Sequence, residues 1–124
     1  MSLRRHSFLK SLGFAWSGLR RLVKEERNAR IHLVASLAVL IVCFLLPLSS
    51  SEWLWILLSI ALVWMAELFN SAIERLTDLA SPERHPLAGA AKDFSAAAVL
   101  LCAVFSVCAA GFILLPHLVK ILFS

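Results

Sequence analysis

The chain has 124 residues, 60% of them hydrophobic and none of them tyrosine, with a mean hydropathy of +0.85 and a formal net charge of +4. Ordinary soluble domains are nearer half apolar, so this composition excludes that class and points to one compact membrane domain. The expected fold is all-α, because lipid offers the backbone no hydrogen-bond partners and an open sheet edge would be left unsatisfied.

Residues 1–30 carry eight of the twelve Lys and Arg. RRHSFLK resembles a twin-arginine export signal, but it has one residue too many before Phe8 and lacks the continuous apolar stretch and cleavage site that should follow. Instead Phe8, Leu12, Ala15, Trp16, Leu19, Leu22 and Val23 recur at helical spacing, with Lys10, Ser17, Arg21 and Lys24 opposite. The pattern predicts an amphipathic helix lying on the membrane surface.

Three apolar blocks follow: Ile31 to Leu48, Trp53 to Ala66, and Ala96 to Leu115. Each can cross a hydrocarbon core about 30 Å thick. The expected spans are 31–49, 53–79 and 93–122, with a cytoplasmic connection at 80–92 in which Pro82 and Pro86 of SPERHP stop helices. Arg75, Arg84 and Lys92 flank that connection, whereas the turn LPLSSSEW has no Lys or Arg. The positive-inside rule therefore puts the N-terminus and the 79–94 region in the cytoplasm and the turn outside, with Trp53 and Trp55 in the outer interfacial belt. Cys43, Cys102 and Cys108 fall inside spans without metal spacing and read as small packing residues.

The second span carries the chemistry. Glu67, Asn70, Glu74 and Asp78 are spaced by three, four and four, which stacks them along one helix stripe. Taking Trp53 as the outer boundary, a rise of 1.5 Å per residue puts Glu67 about 21 Å inward, still within the hydrocarbon, and Glu74 near the headgroups. A carboxylate at lipid depth is costly and usually functional, whereas Asn70 is equally well read as polar glue between helices. Asp78, at the helix end, reads as structural.

Glu25, Glu26, Lys92 and Asp93 belong to the same cytoplasmic level and can meet Glu74 across the bundle. Carboxylates beside a lysine suit a magnesium-bound polyphosphate, with ordinary interfacial ion pairs as the competing reading. The sequence contains no Walker loop, protein-kinase glycine loop or HExxH. Of the four histidines only His85, in the loop, is a candidate for ligand contact; His32 reads as snorkelling at a span end, and His6 and His117 lie near the termini. A proton or ion conduit would need acidic residues across the whole membrane, but the outer half of the second span is apolar. A non-catalytic oligomer would leave Lys92 and Asp93 without a purpose.

ERNARIHL (26–33), AELFNSAIERLTDL (66–79) and SPERHPLAGAAKDFSAAAVL (81–100) together resemble the small prokaryotic lipid kinases, the diacylglycerol kinase and undecaprenol kinase family. The likeness runs from about Phe8 to Phe105. It implies a homotrimer in the bacterial inner (cytoplasmic) membrane, each chain giving a surface helix and three spans, that moves the γ-phosphate of MgATP to a lipid hydroxyl. No nucleic-acid partner is expected. Carried over by motif, Glu67 is the general base and Asn70 orients the reacting groups. Glu26 and Glu74 are the Mg2+ ligands. Phe14, Glu26, Glu74, Glu83, Arg84, His85, Lys92 and Asp93 contact the nucleotide, while Lys10, Trp16, Glu67 and Ala96 contact the lipid. An arginine found early in the surface helix of the diacylglycerol branch is here Ser7, which leaves its task unassigned. ERNARIHL and SPERHPLAGAAKD resemble the undecaprenol branch more closely, with diacylglycerol as the alternative substrate.

Overall fold

The computed structural model describes residues 7–124; Arg4, Arg5 and His6, and with them the arginine pair of RRHSFLK, lie outside the described residues. Four helices follow one another: α1 (Phe8–Glu25), α2 (Arg27–Leu45), α3 (Ser50–Ala80) and α4 (Pro86–Leu122). The last three are long and apolar enough to cross a membrane.

Each helix boundary has a local cause. Ser7 caps α1, its Oγ accepting from the Lys10 amide at 3.4 Å, so the position that departs from the diacylglycerol branch serves as the helix start. Glu26 alone separates α1 from α2, in an extended conformation. KEERNARIH is thus a sharp corner between two helices rather than an open joint, and α2 begins before the expected residue 31. Arg30 braces this corner by donating to the carbonyls of Val23 and Lys24.

Ser49 and Glu52 form a capping box at the start of α3: the Glu52 amide donates to Ser49 Oγ at 3.2 Å, and the Ser49 amide to Glu52 Oε2 at 2.8 Å. The box starts α3 at Ser50, ahead of the expected 53.

The expected 80–92 connection is a correction: the loop is only Ser81–His85, and α4 runs from Pro86. Pro86 occupies the first helical turn, where a missing N–H costs nothing, so it opens a helix instead of stopping one. The His85 ring completes the start by accepting from the Leu87 amide at 3.1 Å. Lys92 is therefore on a helix, nearly two turns in. Pro116, further along, is accommodated within α4.

The helices α3 and α4 form the tightest pair in the fold, with α2 and α1 leaning on them more lightly. The buried face of α3 is Ile56, Ser59, Val63, Glu67 and Ser71, a stripe at helical spacing. Cys43, Leu46, Ile56 and Leu114 close the core at the end of the bundle away from the loop. Trp64 ties α3 to α2, its indole N–H donating to Ser36 Oγ at 3.2 Å. The broad apolar surface that remains exposed, including Phe44, Leu57, Phe94, Leu101, Val107 and Phe112, is what a bilayer or sister chains would cover.

Candidate active site

The stripe on α3 points inward at its apolar end. Glu67 is only 2% exposed, on the same buried face as Val63 and Ser71. His32 of α2 brings Nε2 to 3.2 Å from Glu67 Oε1, and no partner in full hydrogen-bonding geometry completes this buried oxygen among the described residues. Burying an ionised carboxylate without full compensation costs several kcal/mol, which makes this an uncommon position for a residue that only packs. The sequence pattern read His32 as snorkelling at a span end; only the packing of α2 on α3 brings it to Glu67.

One turn on, Asn70 is held from two sides. Its Oδ1 accepts from Ser95 Oγ of α4 at 2.7 Å, and its Nδ2 donates to Glu74 Oε1 at 3.4 Å. Ser95 is itself buried and also reaches the carbonyl of Lys92 at 2.9 Å. The amide is thereby fixed in one orientation, and the small AAKDFSAAA run lets α4 approach close enough to do it.

Toward the loop the charged groups sort into two sets. Arg75 on α3 meets Glu25 at 2.5 Å and Glu26 at 3.4 Å, and donates to the Ser71 carbonyl at 3.1 Å. It ties the α1–α2 corner to α3. Lys92 meets Asp78 at 2.5 Å, joining α4 to the end of α3. Glu25 thus reaches Arg75 rather than Glu74, and Lys92 reaches Asp78, whose structural reading agrees with this contact.

A cleft of about 610 Å³ opens beside that second pair, lined by Thr77, Asp78, the loop Ser81–His85, Ala88, Gly89 and Lys92. It gathers Glu83, Arg84, His85 and Lys92 from the residues expected at the nucleotide. Asp93, Ala96, Lys10 and Phe14 are exposed and border neither this cleft nor the apolar groove under α1. Trp16 does line that groove, of about 710 Å³, together with Leu19, Arg20, Val23, Lys24, Leu33 and Trp64.

The expected metal ligands can be tested against this geometry. Among the described residues no three His, Cys, Asp or Glu come together as a ready-made metal cage. Glu26 and Glu74 both act electrostatically on Glu67, which places them at the same end of the bundle. Two carboxylates suffice for Mg2+, which keeps much of its shell as water and substrate phosphate. Glu26 is engaged by Arg75 and Glu74 by Asn70, so among the described residues the two expected ligands supply carboxylates but no dedicated protein cage.

A family model described as prokaryotic diacylglycerol kinase matches residues 13–114. The chain belongs to the prokaryotic diacylglycerol kinase family. It is accordingly a lipid kinase, a transferase held in the membrane by its three apolar helices. It is 44% identical over 111 residues to the undecaprenol kinase of Bacillus subtilis (strain 168), covering 90% of each chain. It is also 37% identical over 117 residues to a diacylglycerol kinase of Synechocystis sp., covering 94% of this chain and 67% of the relative. The diacylglycerol kinase of Escherichia coli (strain K12) is 34% identical over 99 residues, with 80% of this chain and 81% of the relative covered.

Proposed function

We propose that this kinase transfers the γ-phosphate of MgATP to the hydroxyl of undecaprenol, giving undecaprenyl phosphate, at the cytoplasmic face of the bacterial inner membrane. The observation that carries the chemistry is Glu67: an inward-facing carboxylate whose buried Oε1 lies 3.2 Å from His32 Nε2 and has no partner in full hydrogen-bonding geometry among the described residues, one turn from a clamped amide. A lipid alcohol arriving from the bilayer would supply the missing donor. Glu67 takes the hydroxyl proton, the freed oxygen attacks the γ-phosphorus in line, and the bond to the bridging oxygen breaks with ADP as leaving group. No covalent phosphoenzyme is needed, so rate comes from positioning and charge stabilisation.

Asn70 orients the reacting groups. Glu83, Arg84, His85 and Lys92 hold the nucleotide in the cleft beside the loop, and Phe14 and Asp93, which do not line that cleft, are proposed as further nucleotide contacts. Glu26 and Glu74 would hold Mg2+, which when bound offsets phosphate charge. Trp16, Lys10 and Ala96 guide the lipid. The reading includes a homotrimer, in which neighbouring chains would cover part of the large apolar surface that one chain leaves exposed.

Undecaprenol is favoured by the 44% identity that extends over 90% of both chains. Diacylglycerol remains the second reading, since the Synechocystis diacylglycerol kinase aligns with 94% of this chain. Detergent-solubilised protein given labelled ATP and both lipids separates them. Label on undecaprenol, lost in Glu67→Gln while nucleotide binding persists, is the expected result. Label on neither lipid, in folded and assembled protein, overturns the proposal, and an active Glu67→Gln overturns the assignment of the base.

A further inference from the structure

Of the two carboxylates expected at the metal, Glu74 stands on α3 itself, whereas Glu26 comes from the corner between α1 and α2. Glu26 is the single residue separating those helices, with φ −103° and ψ 122°. Its amide donates to the Leu22 carbonyl at 2.9 Å, and its carbonyl accepts from the Arg30 amide at 3.3 Å. These bonds fix its backbone to α1 and α2 but not to α3, which both helices touch only lightly. Where Glu26 stands relative to Glu74 therefore depends on what ties the corner to α3.

That tie is Arg75. The guanidinium is anchored to its own helix, Nη1 donating to the Ser71 carbonyl at 3.1 Å. From there Nη2 donates to Glu25 Oε2 at 2.5 Å, and Nη1 lies 3.4 Å from Glu26 Oε1. Among the described residues no other hydrogen bond or ion pair joins Glu25, Glu26 or Arg30 to α3. The short contact goes to Glu25, whose other oxygen faces Arg21 at 3.5 Å. Glu26 receives only the long one, on one oxygen, and no ion pair or hydrogen bond occupies its Oε2 among the described residues. A planar guanidinium with five donors can serve two carboxylates and a carbonyl from one fixed plane; a lysine ammonium on a flexible stem cannot.

Resting on the reading of Glu26 as a Mg2+ ligand, we propose that Arg75 and Glu25 are a positioning pair: they pin the α1–α2 corner to α3 and so hold the unengaged oxygen of Glu26 on the side of the bundle where Glu74 stands. Neither residue touches the nucleotide or the lipid. Their effect reaches the reaction only through Glu26, by fixing where its carboxylate waits.

Arg75 also brings positive charge toward a cation site, which opposes the benefit of fixing Glu26. Removing Arg75 alone mixes the two effects. Removing Glu25 with it deletes one charge of each sign, so the local net charge is kept and the pin is lost. The test is therefore the double variant Glu25→Ala/Arg75→Ala, with helix content and oligomer size as controls for folding. Lipid phosphorylation is titrated with Mg2+, and binding of Mn2+ with a non-hydrolysable ATP analogue is followed by electron paramagnetic resonance.

The expected result is a rise of about two- to fivefold in the concentration of either ion at half-saturation, the range a half-exposed ion pair can supply, while kcat at saturating ion changes by a smaller factor. Parental ion requirements in the double variant would overturn the proposal. So would a lowered kcat with an unaltered ion requirement, because that marks a purely structural role. Should the double variant fail to assemble, Arg75→Lys keeps the charge without the fork, and a parental ion requirement there would be equally fatal. Glu26→Gln run alongside separates the two levels: if its ion requirement is parental, the ligand reading fails; if it is raised while the pin variants match the parent, only the positioning role fails.

Discussion

Replacing Ser95 by alanine removes one oxygen and tests whether Asn70 must be held from α4 to work. Ser95 Oγ lies 2.7 Å from Asn70 Oδ1 and 2.9 Å from the Lys92 carbonyl. The single hydroxyl hydrogen serves the shorter contact, and the carbonyl keeps its helical partner, so the net loss is one interhelical hydrogen bond. Such bonds between membrane helices average about 0.6 kcal/mol and reach about 1.7. Because Asn70 would hold its orientation by the longer 3.4 Å contact to Glu74 alone, the whole loss should appear in the reacting geometry. That corresponds to about a 3- to 20-fold fall in kcat, since each 1.4 kcal/mol is tenfold. Initial rates in mixed micelles at saturating ATP and lipid measure it directly. Ser95→Thr, which keeps the hydroxyl, should recover most of the rate if the added methyl is accommodated at the α3–α4 contact. A Ser95→Ala enzyme with unchanged kcat would refute the idea that α4 sets the orientation of this amide.

Glu26→Gln and Glu74→Gln should each raise the Mg2+ concentration needed for half-maximal activity, and unchanged magnesium titrations would refute their assignment as ligands. Arg75→Ala removes pairs with Glu25 and Glu26 that are about a third to a half exposed, each worth about 0.5 kcal/mol after screening. Together they predict roughly fivefold faster amide exchange at the α1–α2 corner, readable by mass spectrometry. Ser49→Ala should cost about 1 kcal/mol of stability through loss of the cap. A lowered thermal midpoint with normal turnover is expected, because the capping box stands at the end of the bundle away from the site.

The spans were legible because apolar runs of sufficient length have only one way to cross lipid, and Glu67 stood out as a carboxylate among Trp, Met, Leu and Phe residues, which the structure buries. The helix limits were less so. Pro86 reads equally as a stop or as a first-turn residue, and only the structure of the 81–85 loop decides that it opens α4. His32 was placed near the end of its span, where it lies, but sequence gives its height on the helix and not the side on which Glu67 lies. Lys92 and Arg75 show the same limit: both were placed at the right level, while their partners, Asp78 and the pair Glu25 and Glu26, depended on how the helices rotate against one another.

The division of the fold into a tight pair and a lighter one bears on how the site is built. Asn70, Glu74, Asp78, Lys92 and Ser95 all belong to α3 and α4, where packing is extensive and polar bonds cross directly between helices. The groups brought by α1 and α2, namely Glu25, Glu26 and His32, reach the same stripe through a few polar contacts across a sparser interface. In the proposed reading the closely packed pair carries the orienting amide and the lining of the loop cleft, while the first two helices bring a carboxylate and an imidazole across a sparser interface. Phosphoryl transfer needs atoms fixed to within fractions of an ångström, whereas a long lipid must enter sideways from the bilayer. The proposal places the first demand on α3 and α4 and the second beside α1, where Trp16 and Trp64 wall the apolar groove.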